Sequence, residues 1–334
     1  MDDNGPRETM LGPTSADATG EDFSDAWGRR WVAVGEVVLN EIDVAETEKE
    51  RRNADYRPPP EPDPQTLSVE DLAEKLRPRR LVGDYEYRLE QPDYEVAEKI
   101  LAMEEPPYTE GFQPPQARFI IGSDDRRRID APRFLPGSAY AYLTQNCTAT
   151  MIGPSTALCA AHCFYQNGRW IESRSITFGA DTAAPTAPFR SFLADSLTLP
   201  GAWNATEWDW DFAVLEFSPT RPDIGRQTGW FGTLQNFSGA HTIVGYPMDK
   251  LPMPQSWIKG GTFTAAPGSR YEHNIDIVSG DSGACAYHND DSRCAGIQST
   301  QQRRDNPPRV WNEVRRWDSV THNFFHAYGN WPRP

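Results

Sequence analysis

An all-β architecture, sandwich or barrel, is what the sequence predicts over its last two thirds. Short apolar runs recur there, AYAYL, CTATMIG, SITFG, FAVLEF, HTIVGYP and GACAYH, with Gly, Pro and Asn between them. Only the tail, SVTHNFFHAY (319–328), has helical spacing, with Phe324 and Phe325 on its buried side. The charge is lopsided as well. The formal net charge is −15, and residues 1–118 carry 28 acidic against 14 basic side chains, a net of −14. A two-part chain follows, an acidic extension over 1–118 and a nearly neutral domain over 119–334.

The extension is expected to be partly disordered. Residues 1–26 are polar and small, the composition of a segment without a core. WVAVGEVVLNEIDV (31–44) is the first apolar stretch and fits a strand or a short helix. RPPPEPDP (57–64) reads as a stiff linker. Ser68, three residues before Asp71 and just ahead of DLAEKL, marks a helix start. DYEVAEKILAMEE (93–105) spaces Val96, Ile100 and Met103 for a short amphipathic helix, which Pro106 and Pro107 stop. TEGFQPPQAR (109–118) reads as a second linker. An acidic front third repels phosphates, which excludes nucleic acid as its partner. No run approaches the ~18 apolar residues of a membrane span, so no membrane partner is expected. The first twenty residues lack the apolar core of a signal peptide.

Three segments carry chemistry. CTATMIGPSTALCAAHCFY (147–165) reads as a strand, a turn at Gly153-Pro154, a second strand, and then Ala-Ala-His162-Cys163. SGDSGACAYH (279–288) sets Ser282 between Asp281 and Gly283, with Gly280 two residues before it. A serine hydroxyl becomes a nucleophile only when a neighbouring imidazole takes its proton. It also needs two backbone N–H groups aimed at the developing oxyanion. A glycine ahead of the serine lets the N–H groups of Gly280 and Ser282 converge. WDWDFAVLEF (208–217) offers two carboxylates, Asp209 and Asp211, either of which could orient an imidazole.

Together these segments resemble the chymotrypsin-like serine endopeptidases. The fifteen-residue step from Cys147 to His162, the Ala160-Ala161-His162-Cys163 run and the Gly280-Asp281-Ser282-Gly283 motif carry the resemblance. The family's Asp-aromatic-Ala-aliphatic pattern favours Asp211 over Asp209. The order His162, Asp211, Ser282 is that of chymotrypsin and not of subtilisin. FIIGSDDRRRI (119–129), IVGYPMDK (243–250) and IDIVSGDSG (275–283) are similar to the bacterial glutamyl endopeptidase branch.

The resemblance implies two packed antiparallel six-stranded β-barrels over about 119–318, a C-terminal helix, and a triad in the cleft between barrels. It implies protein or peptide substrates, no cofactor, no metal, and a monomer. Cys147–Cys163 is the disulfide it implies beside the histidine. Cys285 and Cys294 flank the turn-like HNDDSR, and a hairpin would bring them within the Cα separation of ~4.4–6.8 Å that a second bridge requires. Cys159 is then free. Two disulfides point to a secreted or periplasmic protein, although no signal peptide precedes them.

The substrate pocket departs from the branch. Ile277 and Gln298 stand where glutamate-specific relatives carry Thr or Ser and His. Asp276 matches the position that binds basic P1 side chains in trypsin-like enzymes, which leaves Arg/Lys and Glu preferences both open. Ser299 matches a serine that hydrogen-bonds the triad aspartate and lines the cleft. By the same resemblance, cleavage after Arg118 would free Phe119 for Asp281, so that 1–118 would be a propeptide and inhibitor. A permanent N-terminal domain is the alternative. A catalytically inert binding protein of the same fold and an intracellular regulatory protease are the other functional readings.

Overall fold

The structure, a computed structural model, describes residues 19–25, 27–37, 66–103, 126–171, 175–181, 189, 191–204, 207–217, 224–234, 239–250, 254–266, 268–273, 275–289, 293–305 and 308–329, with the backbone alone over 301–311. Arg118 and Phe119, both linkers and most of the first 26 residues lie outside the described residues.

Every apolar run named above forms a strand, and Ser319–Tyr328 forms the terminal helix. The C-terminal half closes into a barrel. Strand Gly239–Gly245 pairs with Trp257–Ala265, which pairs with Arg270–His273, then Pro308–Arg316, then Arg293–Asp305, then Cys285–His288, and back to the first. All six pairings are antiparallel, so the barrel leaves no strand edge of its own unpaired.

The N-terminal half carries a larger sheet. Its strands belong to an eleven-stranded antiparallel sheet, and four of them come from the extension: Phe23–Ser24, Arg30–Glu36, Tyr85–Leu89 and Arg79–Val82. Arg79–Val82 pairs with Ser196–Leu199, in register from Ser196↔Val82 to Leu199↔Arg79. An uncovered Ser196–Leu199 would present a row of unpaired N–H and C=O groups, and the extension covers it.

The first apolar stretch resolves as a strand, Arg30–Glu36, and the two expected helices form at Val69–Leu76 and Tyr94–Ala102. Ser68 Oγ accepts the Asp71 N–H (3.1 Å), and the Asp93 carboxylate accepts the Val96 N–H (3.1 Å). Their buried faces, Leu72, Ala73 and Leu76 and Val96, Ala97 and Ile100, join one hydrophobic cluster that continues through Trp31 and Tyr87 into Phe212 and Phe324. Among the described residues this one cluster draws on both the extension and the rest of the chain. The terminal helix packs Phe324 on Phe212 (5.2 Å between ring centroids) and Tyr328 on Trp31 (6.3 Å). Among the described residues no helix is long and apolar enough to cross a membrane.

Candidate active site

Register carries the histidine and the aspartate together. Strand Ala213–Glu216 pairs with Thr156–Cys159, and Ala213 opposes Cys159. Asp211, two residues before Ala213, therefore faces the turn Ala161–Cys163 that follows Cys159. The imidazole Nδ1 of His162 lies 2.8 Å from Asp211 Oδ2, and the His162 backbone N–H donates to Asp211 Oδ1 (2.9 Å). Asp211 is fully buried. Burial alone would raise its carboxyl, but the His162 charge and the hydrogen bonds from His162 and Ser299 hold it below the ordinary carboxylate range. Ser299 Oγ donates to Asp211 Oδ2 at 2.5 Å. Asp209, the other carboxylate of the segment, turns away. It accepts from the Ser269 N–H (3.1 Å) and pairs with Arg270 (3.2 Å).

The rings of Trp203 and Trp208 stand 6.4 and 6.1 Å from that of His162 and limit its movement. Trp203 is itself tied down by its Nε1–H, which donates to the Tyr165 carbonyl (2.7 Å). His162 Nε2 is buried and has no hydrogen-bond partner among the described residues.

The serine segment meets the histidine segment through the backbone. The Thr148 N–H donates to the Ser282 carbonyl (2.8 Å), and the Thr148 Oγ donates to the Gly280 carbonyl (2.6 Å). Cys147 and Cys163 are joined, with Cα atoms 6.2 Å apart, and Cys163 Sγ lies 3.8 Å from the Ser282 carbonyl. Ser282 is 8% exposed. Two glycines make the turn possible. Gly280 has φ +102°, and a Cβ there would stand 2.1 Å from the Tyr246 carbonyl. Gly283 has φ +85°, and a Cβ there would stand 2.4 Å from Cys159 Sγ. Neither the Gly280 nor the Ser282 N–H donates to another group among the described residues.

Cys285–Cys294 is bridged as the hairpin implied, with Cα atoms 5.7 Å apart. Cys159 is the free thiol, buried, with its pKa pushed well up by that burial.

The residues expected in the substrate pocket divide. Ser299 reaches Asp211. Gln298 is fully buried and faces inward: its Oε1 accepts from His273 Nε2 (2.9 Å), and its Nε2 donates to the Glu313 carbonyl (3.3 Å). Ile277 is buried at 8% exposure, whereas Asp276 is exposed. Asp276 lines a cavity of about 280 Å³ with Arg126, Lys259, Thr262 and Ile275. Asp281, expected to await a freed amine, is fully buried and paired with Lys259. The sequence reading missed Lys259. A lone lysine at the middle of a β run carries no signal until its partner is known.

The fold and this site define the class. Aligned on the solved structure of a glutamyl endopeptidase in complex with MPD, the chain gives a TM-score of 0.54 at 23% identity, over 64% of this chain and 100% of that one. The chain is a serine endopeptidase of the chymotrypsin-like class, a hydrolase. Within that class it is related to the glutamyl endopeptidases. It is 28% identical over 227 residues to the glutamyl endopeptidase of Bacillus licheniformis, across 65% of this chain and 70% of that protein.

A second relative, the extracellular metalloprotease of Bacillus subtilis, is 24% identical over 192 residues, 52% of this chain and 59% of that protein. No family model matches the chain. Among the described residues the one cluster of possible ligands is Cys147, His162 and Cys163, and both its sulfurs are held in a disulfide.

Proposed function

We propose that His162, Asp211 and Ser282 are the catalytic triad of this endopeptidase. The observation that carries the reading is the buried pair of His162 and Asp211 on a turn that a disulfide and a backbone hydrogen bond tie to Ser282. With Asp211 holding Nδ1–H, the Nε2 of His162 is the acceptor. It takes the Ser282 proton as Oγ attacks the scissile carbonyl, then gives it to the leaving amine. The N–H groups of Gly280 and Ser282 receive the oxyanion, and water attack on the acyl-enzyme completes turnover.

Asp276 is the residue assigned here to the P1 side chain. Both cations of its cavity are committed to carboxylates, Arg126 to Asp249 (2.8 Å) and Lys259 to Asp281, and Asp276 has no ion-pair partner among the described residues. That balance favours a basic P1 residue over glutamate. Cleavage after Arg118 would free Phe119 for Asp281, but Lys259 occupies that carboxylate, and the triad reading needs no zymogen step.

The test is a fluorophosphonate probe and a mixed peptide library on the full chain beside its Ser282→Ala variant. Labelling and cleavage that vanish in Ser282→Ala support the triad, and P1 counts dominated by Arg and Lys support Asp276. A chain that neither labels nor cuts above the variant favours the inert binding protein.

A further inference from the structure

Asp281 precedes the nucleophile and fills the inside of the turn that aims the oxyanion donors. Its Oδ2 accepts the Val278 N–H (3.0 Å), while its backbone N–H donates to the Val278 carbonyl (3.1 Å) and its carbonyl accepts the Ala284 N–H (3.1 Å). The Met248 N–H holds the same turn from outside, on the Ser279 carbonyl (2.9 Å). The carboxylate is therefore part of the frame that sets the Gly280 and Ser282 N–H groups.

A buried carboxylate needs a counter-charge, and here it is internal. Lys259 sits in strand Trp257–Ala265, 1% exposed, opposite Ile243 of the neighbouring strand, and its ammonium pairs with Asp281 Oδ2. The close approach requires Gly245, where a Cβ would stand 2.2 Å from Asp281 Oδ1. Two charges this far from solvent hold each other in place. Removing either leaves the other uncompensated.

Burial pulls Lys259 below the ordinary lysine range, and the Asp281 charge opposes that pull. Arg126, Asp249 and His273 are the other charged or titratable groups that act on it.

Resting on the triad reading, we propose that Lys259 is the positioning residue of the oxyanion hole, supplying from within the fold the positive charge that a freed α-amine would bring to Asp281. The uncut chain is then competent at Ser282. Cleavage near residue 118 changes its turnover little, because a new amine would have to displace an ammonium already buried on the carboxylate.

The experiment uses the full chain, verified as uncut by intact mass before and after assay, and the same protein after limited cleavage between 104 and 125. The expected result is fluorophosphonate labelling of Ser282 in the uncut chain, with kcat within threefold of the cut form. Labelling that appears only after cleavage overturns the proposal for Lys259 and leaves the triad standing. Labelling in neither form overturns both.

Lys259→Ala is expected to lower kcat by about 10²–10³-fold with KM within threefold, the loss seen when an oxyanion donor is removed. Propylammonium added to that variant should restore at least tenfold of kcat, and Lys259→Arg should recover part of it. A merely structural lysine gives no amine rescue. If Lys259→Ala does not fold, the comparison of uncut and cut wild type decides alone. A folded Lys259→Ala with unchanged kcat overturns the proposal.

Discussion

Arg80 of the extension and Glu216 of the N-terminal sheet form a buried ion pair, 2.6 Å apart, on the seam where strand Arg79–Val82 joins Ser196–Leu199. Ser196 Oγ donates to the same carboxylate at 2.5 Å. Nearby, Trp170 Nε1 donates to Glu86 of the extension (2.7 Å), and Arg29 reaches the Ala327 carbonyl of the terminal helix (2.8 Å). These contacts tie the extension to the rest of the chain at three places.

The first prediction concerns that seam. Arg80→Met leaves Glu216 buried without its partner and should cost about 3–5 kcal/mol. A chain beginning at 119 loses the cover of Ser196–Leu199 as well, and should melt well below the full chain or aggregate. Denaturant unfolding and light scattering measure both. After proteolysis between 104 and 125, the extension should co-elute with the protease part. An equal melting temperature for the 119–334 chain would sink this account.

The strands of the domain and the three site segments were legible because each carries a local signal. Alternating apolar runs declare strands, and Ala160-Ala161-His162-Cys163 and Gly280-Asp281-Ser282-Gly283 declare a turn chemistry. Asp211 could be separated from Asp209 only by pattern, and the physical reason lies in the register of Ala213 on Cys159. The role of residues 19–103 was not legible. RRLV (79–82) and YEYRL (85–89) are short, charged and set in an acidic segment, and they become strands because an edge distant in sequence needs cover. The hydrogen bond between Gln298 and His273 was not legible either, because the two lie 25 residues apart in the sequence.

His273 yields a pH prediction. Its Nδ1 accepts the Ile275 N–H (3.2 Å), so its proton sits on Nε2, donated to Gln298. A second proton would set an N–H against an N–H. Burial lowers its pKa from 6.5 to about 3, with the Gln298 hydrogen bond acting against the shift. The unfolded chain therefore binds a proton that the folded chain refuses between those two values. Stability should fall as pH drops from about 6.5 to about 3, by on the order of 4 kcal/mol from this residue. Urea midpoints across that range, compared with His273→Gln, measure it. The variant should flatten the curve, and an unchanged slope would exclude His273 as the cause.

Asp209 and Asp211 should separate by what they damage. Asp211→Asn is expected to lower kcat by about 10⁴-fold, since the amide cannot hold the required imidazole tautomer. Ser299→Ala removes one hydrogen bond to that carboxylate and should lower kcat about tenfold. Asp209→Asn breaks its contacts with Arg270 and the Ser269 N–H, so it should lower the melting temperature and leave kcat within a few fold. Steady-state kinetics beside thermal melts distinguish them. A larger kcat loss in Asp209→Asn than in Asp211→Asn would reverse the assignment.

The cysteines should behave as three classes. Cys147–Cys163 closes a loop with a sequence separation of 16 and should stabilise by about 3 kcal/mol, and Cys285–Cys294, separated by 9, should contribute less. The first bridge also fixes the turn that carries His162, so reducing it should lower kcat before it unfolds the chain. Cys159 donates to the Thr148 carbonyl (3.2 Å) and is buried with its thiol kept protonated, so iodoacetamide should not reach it in the native protein. Mass spectrometry after alkylation should find no label on the native chain, one on the unfolded oxidised chain, and five after reduction and unfolding. Two or more labels on unreduced protein would mean that the bridges are open. In that case the intracellular reading of this protease would displace the secreted one.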